Sequence, residues 1–513
     1  MNHNLYAELA RAATDAAAPF AHLSGGRTQT YADVEATSAR YAATLARLGV
    51  VPGDRVAVQV EKSFDALMLY LGVVRAGGVF LPLNTAYTPA EIEYFLGDAE
   101  PRVFVCDPAR ADALRPIAGK AGAHLETLGA AAATGAATGS LPLLANAATT
   151  TFTTIERGED DLAAILYTSG TTGRSKGAML THRNLVSNAR ALIETWRFSR
   201  RDVLLHALPI FHTHGLFVAT NVVLFSGASM HLLARFDIEE VFSALPHVTT
   251  MMGVPTFYTR LLQDERLTAA ACAHMRLFVS GSAPLLAETH RAWRARTGHA
   301  ILERYGMTET NMLTSNPYTG ERIAGSVGLP LPGVEVRIAD PDTGSPIAAG
   351  EVGMIEVRGP NVFKGYWRMP EKTRAEFRAD GFFITGDLGR IDPNGYVSIV
   401  GRGKDLVITG GYNVYPKEVE AEIDEIEGVV ESAVIGVPHP DFGEAVTAVV
   451  VKDRSSRLGE REVIRALEGR LAKFKCPKRV MFVEALPRNT MGKVLKNELR
   501  ETHKDLFAPR GAG

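Results

Sequence analysis

Five short segments combine residue types and spacings suited to nucleotide and acyl chemistry. The first, TSGTTGRSKG, runs from Thr168 to Gly177 directly after an apolar strand. Its glycines let backbone N–H groups converge, its hydroxyls add donors, and Lys176 adds a cation, which together make a cradle for phosphate oxygens. A flexible polar loop has the same composition. The segment lacks the GxxxxGK[ST] spacing of a Walker A loop. Gly173, Ser175 and Gly177 do match GxSxG. A hydrolase nucleophile elbow, however, needs its serine at the sharp turn immediately after a strand, and here a loop separates Tyr167 from Lys176.

The second segment is ERYGMTET, Glu303 to Thr310. Tyr305 beside Gly306 can face a nucleobase, Thr308 offers a hydroxyl to a phosphate, and Glu309 offers a carboxylate to Mg²⁺. Thr308 as the N-cap of a helix, with Glu309 in its first turn, is the structural alternative. The third pairs TGD, Thr385 to Asp387, with GRGKD, Gly401 to Asp405: Asp387 suits a ribose diol and Arg402 suits ribose or phosphate oxygens. The fourth, PRNTMGK, sets a rigid turn before Lys493. The fifth is HALPIFHTHGLF with GVPTFYTR. His206, His212 and His214 lack an acidic partner at a recognised metal-ligand spacing, so acyl-pocket lining is the better reading. Arg260 lies on the first turns of a helix entered from a buried strand. Inside a crevice it would be costly unpaired, and a second substrate carboxylate would satisfy it; an ordinary surface ion pair is the alternative.

The elements that must position these residues alternate. RVAVQV reads as a buried strand, Ser63 to Val74 as a helix, GGVFLPL as a strand, Pro89 to Gly97 as a helix and RVFVC as a strand, a βαβ rhythm that predicts a mostly parallel sheet. From Gly129 to Thr154 the composition collapses into Ala, Gly and Thr and reads as a surface connection. The rhythm resumes with LAAILYTSG, VLLHALP, VTTMMGVP, RLFVSGS and ILERYG, whose carboxyl ends carry the polar residues above, where ligands bind in doubly wound folds. Between about Gly325 and Gly401 short strands and Gly, Pro and Asp turns predict a small β-rich subdomain, and an α+β piece follows GRGKD.

Composition sets the outer limits. The chain has 513 residues, and 55 Lys plus Arg against 57 Asp plus Glu leave a net charge of −2, which argues against a nucleic-acid-coating protein. At 46% hydrophobic and 22% charged residues it reads as globular, with more than one domain or one large composite. Cys106, Cys272 and Cys476 are too scattered for a disulfide framework or a zinc cluster, which favours a reducing cytoplasm. Neither a signal peptide nor a membrane span of about eighteen apolar residues is expected, and the RGAG ending is no lipidation or peroxisomal signal.

In this order and over this length, TSGTTGRSKG, YGMTE, TGD, GRGKD and the terminal GK resemble the marks of the adenylate-forming superfamily of acyl-CoA synthetases, luciferases and peptide-synthetase adenylation domains. The likeness spans essentially the whole chain. It implies an α/β fold: a large N-terminal domain of doubly wound sheets plus a small β-rich subdomain over 1–403, and a small mobile α+β C-terminal domain over 404–513, hinged near Lys404. Carried over by position, it implies that Thr168, Ser169, Gly170, Thr171, Thr172, Gly173 and Lys176 hold the ATP β and γ phosphates. Gly281, Ser282, Ala283 and Pro284 with Tyr305 would hold the adenine, Glu303, Arg304, Gly306 and Met307 would belong to the same ATP site, and Thr308 would meet the α-phosphate. Glu309 would bind Mg²⁺, Asp387 and Arg402 the ribose, and Lys493 would bridge carboxylate and α-phosphate during adenylation. Arg488 stands where many relatives have lysine. Gly410 and Gly411 would line the approach of the CoA thiol, with Lys475 and Lys478 toward the CoA phosphates.

The stretches SGSAPL, RYGMTETNM and KGYWRMPEKT are most similar, within that superfamily, to the malonyl-CoA synthetases. This implies ATP-dependent conversion of malonate to malonyl-CoA through malonyl-AMP, with AMP and pyrophosphate released. His206, His212, Arg260, Ser282, Gly306 and Met307 would then line the acyl pocket, with the free carboxylate on Arg260. Methylmalonate, one methyl larger, is the expected second substrate. Another short or medium acyl-CoA synthetase, or a carrier-protein-loading enzyme, is the alternative; the chain's end soon after Lys493 favours free CoA. The expected partners are malonate, ATP, CoA and a lysine acetyltransferase acting on Lys493, with neither nucleic acid nor membrane.

Overall fold

The alternation between residues 55 and 106 produces a seven-stranded sheet because each apolar run is short and each intervening helix carries its own start signal. The computed structural model describes residues 1–12, 15–131, 136–168, 175–410, 412–468, 470–489 and 492–508. Ser63 caps helix Phe64–Arg75 by accepting the Ala66 N–H, and that helix is apolar all round and buried. Thr88 and Glu91 form a reciprocal capping box at helix Pro89–Ala99, with proline at its start. Strands Arg55–Gln59, Val79–Pro82 and Val103–Cys106 pair in parallel, and their near-continuous burial follows from being covered on both faces. The full order is Gly365–Tyr366, Lys176–Thr181, Leu162–Thr168, Val79–Pro82, Arg55–Gln59, Val103–Cys106, His124–Thr127.

A nine-stranded sheet follows the same logic. Its order is Leu329–Pro330, Asn311–Ser315, Leu302–Met307, Leu277–Ser280, Thr250–Gly253, Val203–His206, Ser229–Leu232, Pro19–Leu23, Thr28–Thr30. The run from Leu302–Met307 to Pro19–Leu23 is parallel, so its carboxyl ends share one edge. A core of Met251, Tyr258, Phe278, Trp293 and their neighbours fills the space under the following helices.

Contacts divide the chain into two units. The first holds both sheets above: Met1–Ala324, Gly328–Glu335 and Val357–Phe383. The second holds Gly325–Val327, Val336–Glu356 and Ile384–Gly513. It contains most of a four-stranded sheet (Glu335–Ala339, Gly353–Arg358, Phe383–Ile391, Val397–Arg402), which is the expected β-rich piece. It also holds a five-stranded sheet, built around Val429–His439 and Gly443–Lys452, with helices Pro416–Asp424, Glu460–Leu467 and Lys496–His503. The chain is mixed α/β with a large N-terminal and a small C-terminal part, as expected.

Two local readings change. The Ala-, Gly- and Thr-rich stretch is more than a surface connection: strands Gly129–Ala130 and Ala137–Thr138 pair, and helix Ser140–Asn146 buries Leu141, Pro142 and Ala145. Leu143 and Leu144 stay exposed on the same helix, so only its Leu141 side packs, a distinction that composition averages away. No helix begins at Thr308. Residues 308–310 instead turn a hairpin between Leu302–Met307 and Asn311–Ser315.

Candidate active site

In the nine-stranded sheet the chain leaves Val203–His206 for Ser229–Leu232 on one side, and Thr250–Gly253 then pairs on the other. Such a reversal opens a crevice at the carboxyl ends of the strands. Gly253, Ser280 and Glu303 lie in lateral register at that edge. Glu303 fixes the loop after Ser280 by accepting the Leu285 N–H at 3.1 Å. Ser282 adopts φ of 71°, a left-handed backbone uncommon for a non-glycine residue, and its Oγ lies 3.1 Å from His214 Nδ1.

Under this turn lies Arg304, 3% exposed. Gly281 makes room for it: a Cβ there would come 2.4 Å from the guanidinium carbon. Arg304 Nε and Nη2 have no hydrogen-bond partner among the described residues, and burial lowers the pKa of this arginine to about 9. Burial also lowers His212, to about 4, and holds His214 well below the usual imidazole range, with Arg304 adding positive charge. Both rings are therefore neutral at pH 7. His212 Nε2 and His214 Nε2 are buried without partners among the described residues. The crevice thus gathers an unpaired cation and polar groups, and such a buried charge is stable when an anion completes it.

The other expected acyl-pocket residues are placed differently. His206 is fully buried, and its Nε2–H donates to Gly215 O at 2.9 Å, so it fastens the following helix. Arg260 falls in the last turn of helix Pro255–Leu262, is exposed, and stacks 4.9 Å from the Phe236 ring centroid. Gly306 and Met307 form the end of their strand, where a Cβ on Gly306 would strike Asn311 O at 2.0 Å.

The hairpin turn carrying Thr308 and Glu309 is held from outside its own strands. Asn361 donates to Thr310 O at 2.7 Å, and Asn188 donates to Met312 O at 2.8 Å. Glu309 is 6% exposed, and the Tyr366 hydroxyl lies 3.0 Å from its Oε1 and 2.7 Å from Glu376 Oε2. Lys176 sits 3.4 Å from Glu376 Oε1 and 4.2 Å from the Tyr366 ring centroid. Glu376 is also paired with Lys372 at 2.7 Å; burial works against its ionisation, yet these donors and cations win and lower its pKa. Tyr366 lies in the KGYWRMPEKT stretch but had no role assigned to it, and Glu376 did not stand out in the sequence. Thr168 ends its strand opposite Lys176. Ser169, Gly170, Thr171, Thr172 and Gly173 lie outside the described residues.

The second unit assembles another group. Asp387 and Arg402 are cross-strand neighbours, and Arg402 Nε lies 2.8 Å from Asp387 Oδ1. The Thr385 hydroxyl orders this part of strand Phe383–Ile391 by accepting the Asp387 N–H at 3.1 Å and donating to Ile355 O at 2.8 Å. The Lys493 N–H donates to Asn489 Oδ1 at 3.0 Å, its carbonyl accepts the Asn489 N–H at 2.9 Å, and its ammonium feels Arg402, Asp387, Lys404 and Asp405. The residue keeps accessible surface while its ammonium is crowded; that desolvation comes first, followed by the Arg402 charge, in lowering its pKa to about 8. Lys404 is exposed, and Asp405 beside it pairs with Arg500 at 2.7 Å. Gly410 has φ of 56° and is exposed. Gly411 lies outside the described residues. Lys475 pairs with Glu418 at 2.6 Å.

Among the described residues no three or more His, Cys, Asp or Glu side chains converge as a metal site. A single carboxylate such as that of Glu309 is enough for Mg²⁺, which keeps waters and substrate phosphates as its other ligands. No helix among the described residues is long and apolar enough to cross a membrane.

Comparison with known proteins gives two family matches: AMP-binding enzyme over residues 7–367, and AMP-binding enzyme C-terminal domain over residues 418–493. The chain is 62% identical to ATP-bound MatB from Rhodopseudomonas palustris, covering 99% of this chain and 100% of that one, with a TM-score of 0.96. It is 36% identical to the malonate–CoA ligase of Arabidopsis thaliana, covering 88% of this chain and 79% of that one. It is 38% identical to a feruloyl-CoA synthase from Amycolatopsis sp, covering 93% and 94%.

Proposed function

The chain belongs to the AMP-binding enzyme family, and from that premise we propose that it is an AMP-forming ligase that joins malonate to CoA through malonyl-AMP. The observation that carries the choice of acid is Arg304, a buried guanidinium whose Nε and Nη2 have no partner among the described residues, near Ser282 and His214. A malonate whose reacting carboxylate faces ATP presents its second carboxylate to such a cation, whereas a monocarboxylate leaves the cation buried and unpaired. Arg260, at the surface of the next helix, is a second cation for an arriving dicarboxylate. Malonate-dependent pyrophosphate release that is absent with acetate is the expected result; equal rates with the two acids would remove the dicarboxylate reading.

In this reading Lys176 and the loop before it hold the β and γ phosphates, and the turn from Gly281 to Pro284 with Tyr305 borders the adenine. Thr308 meets the α-phosphate, while Asp387 and Arg402 take the ribose. Glu309, oriented by the Tyr366 hydroxyl, would hold Mg²⁺, which when bound offsets phosphate charge. A carboxylate is a poor nucleophile beside a polyanion, so the Lys493 ammonium stabilises the charge that develops as it attacks the α-phosphate. AMP then leaves as the CoA thiol attacks the acyl carbonyl, with Gly410 and Gly411 beside its path and Lys475 toward the CoA phosphates.

The two reagents reach one centre in turn, and residues 404–513 turning about Lys404 as a mobile lid on 1–403 would serve both steps. Methylmalonate is the expected second substrate. Acetylation of Lys493, which is exposed, would remove the charge used in the first step. Three buried free thiols fit a cytoplasmic setting.

A further inference from the structure

Lys62 is a buried lysine whose role none of the chemistry above requires. It follows strand Arg55–Gln59, is 7% exposed, and donates to His206 O at 3.0 Å and Leu208 O at 2.8 Å. No carboxylate pairs with it among the described residues at ion-pair distance; Glu240 acts only through its field, and burial lowers the ammonium pKa to about 7. Burying a cation to satisfy two carbonyls is expensive unless those carbonyls must stay where they are.

The carbonyls belong to the segment that enters the crevice. Immediately after them, Pro209 O lies so close to Gly215 that a Cβ there would come within 2.1 Å of it. His206 Nε2–H and the Thr220 hydroxyl both donate to Gly215 O, and the neighbouring His214 reaches Ser282. Lys62 therefore stands at the start of a continuous set of contacts that ends at the turn over Arg304.

We propose that Lys62 is a positioning residue for acid recognition: its ammonium fixes the His206–Leu208 backbone, and so sets where His214 and Ser282 stand in the crevice. The proposal rests on reading this crevice as the acyl pocket, and its test uses whichever acid the wild-type enzyme prefers. A wild type that prefers another acid would sink the malonate assignment and leave this test in force.

The experiment compares full-length Lys62→Met, which keeps length without donors, with Lys62→Arg, which keeps charge and donors. In Lys62→Met the KM for the acid is expected to rise about tenfold or more, while the KM for ATP stays within about twofold and Lys62→Arg recovers most of the loss. A parallel rise in both KM values, or an unchanged KM for the acid, overturns the proposal. Where Lys62→Met does not fold, Gly215→Ala replaces it, because its Cβ would strike Pro209 O in the segment whose carbonyls Lys62 holds. The same acid-selective split is expected, and an unchanged acid KM again overturns the proposal.

Discussion

Gly281 and Arg304 fit each other so closely that a Cβ on the glycine would lie 2.4 Å from the guanidinium carbon and 2.5 Å from Nη1. The arginine is buried against this glycine, so an added Cβ must push the guanidinium out of its present position. Gly281→Ala is therefore expected to displace the guanidinium and lower kcat/KM for malonate by about tenfold or more, with less change for ATP. Steady-state kinetics on both substrates checks this, and an unaltered malonate profile would show that the contact is not part of recognition.

Arg304→Met removes the charge while filling most of the volume. Malonate kcat/KM is expected to fall by on the order of a hundredfold, and activity on a short monocarboxylate to fall less or to rise, since no buried donor is left unpaired. Arg260→Ala, at the exposed helix end, is expected to raise the malonate KM by several-fold and leave the KM for ATP unchanged. Running both variants on both acids separates the two arginines. A malonate profile indifferent to Arg260→Ala removes that residue from the pocket.

The contrast between these arginines marks what was legible in the sequence. The strands and helices from Arg55 to Cys106 could be read because each apolar run is short and Ser63 and Thr88 announce the helices. Thr168, Met307 and Arg402 also fell at strand ends, where chemistry was expected, whereas Asp387 lies inside its strand. Which arginine is buried depends on the register of strand Leu302–Met307 against Leu277–Ser280, and no local pattern reports that. The turn at Thr308 resembled a helix start, yet Asn188 and Asn361, distant in sequence, hold it as a hairpin. Glu376 and Lys62 carried no signal, and Tyr366 none beyond its place in KGYWRMPEKT, because their meaning lies in partners from other elements.

Lys493→Ala is expected to lose adenylation while keeping much of the thiolation from preformed malonyl-AMP; equal loss of both would contradict the assigned role. The pH dependence follows from the lowered pKa. Below about 8 the ammonium is charged, and as pH rises through that value the charge is lost, so adenylation declines on the alkaline side. Single-turnover pyrophosphate release across that range checks it, with thiolation expected to lack this limb.

Asp424 offers a stability test apart from catalysis. Burial raises its carboxyl pKa to about 7, although Ser432 donates to it at 2.7 Å. The folded chain thus keeps a proton that the unfolded chain releases near pH 4, so this group's contribution is full at low pH and is lost as pH rises through about 7. Asp424→Asn is expected to raise Tm above that of the wild type at about pH 8, and to match it near pH 4. Melting curves at the two pH values decide; an equal Tm at both would mean the carboxyl ionises freely.

The most direct measurement is CoA-thioester formation with ATP and Mg²⁺ across malonate, methylmalonate, succinate, acetate and a medium-chain fatty acid, with AMP release followed in parallel. Malonate is expected to lead, with methylmalonate next and the monocarboxylates far behind. Equal or better activity on the monocarboxylates would contradict the dicarboxylate pocket, and AMP release without thioester would contradict free CoA as the acceptor.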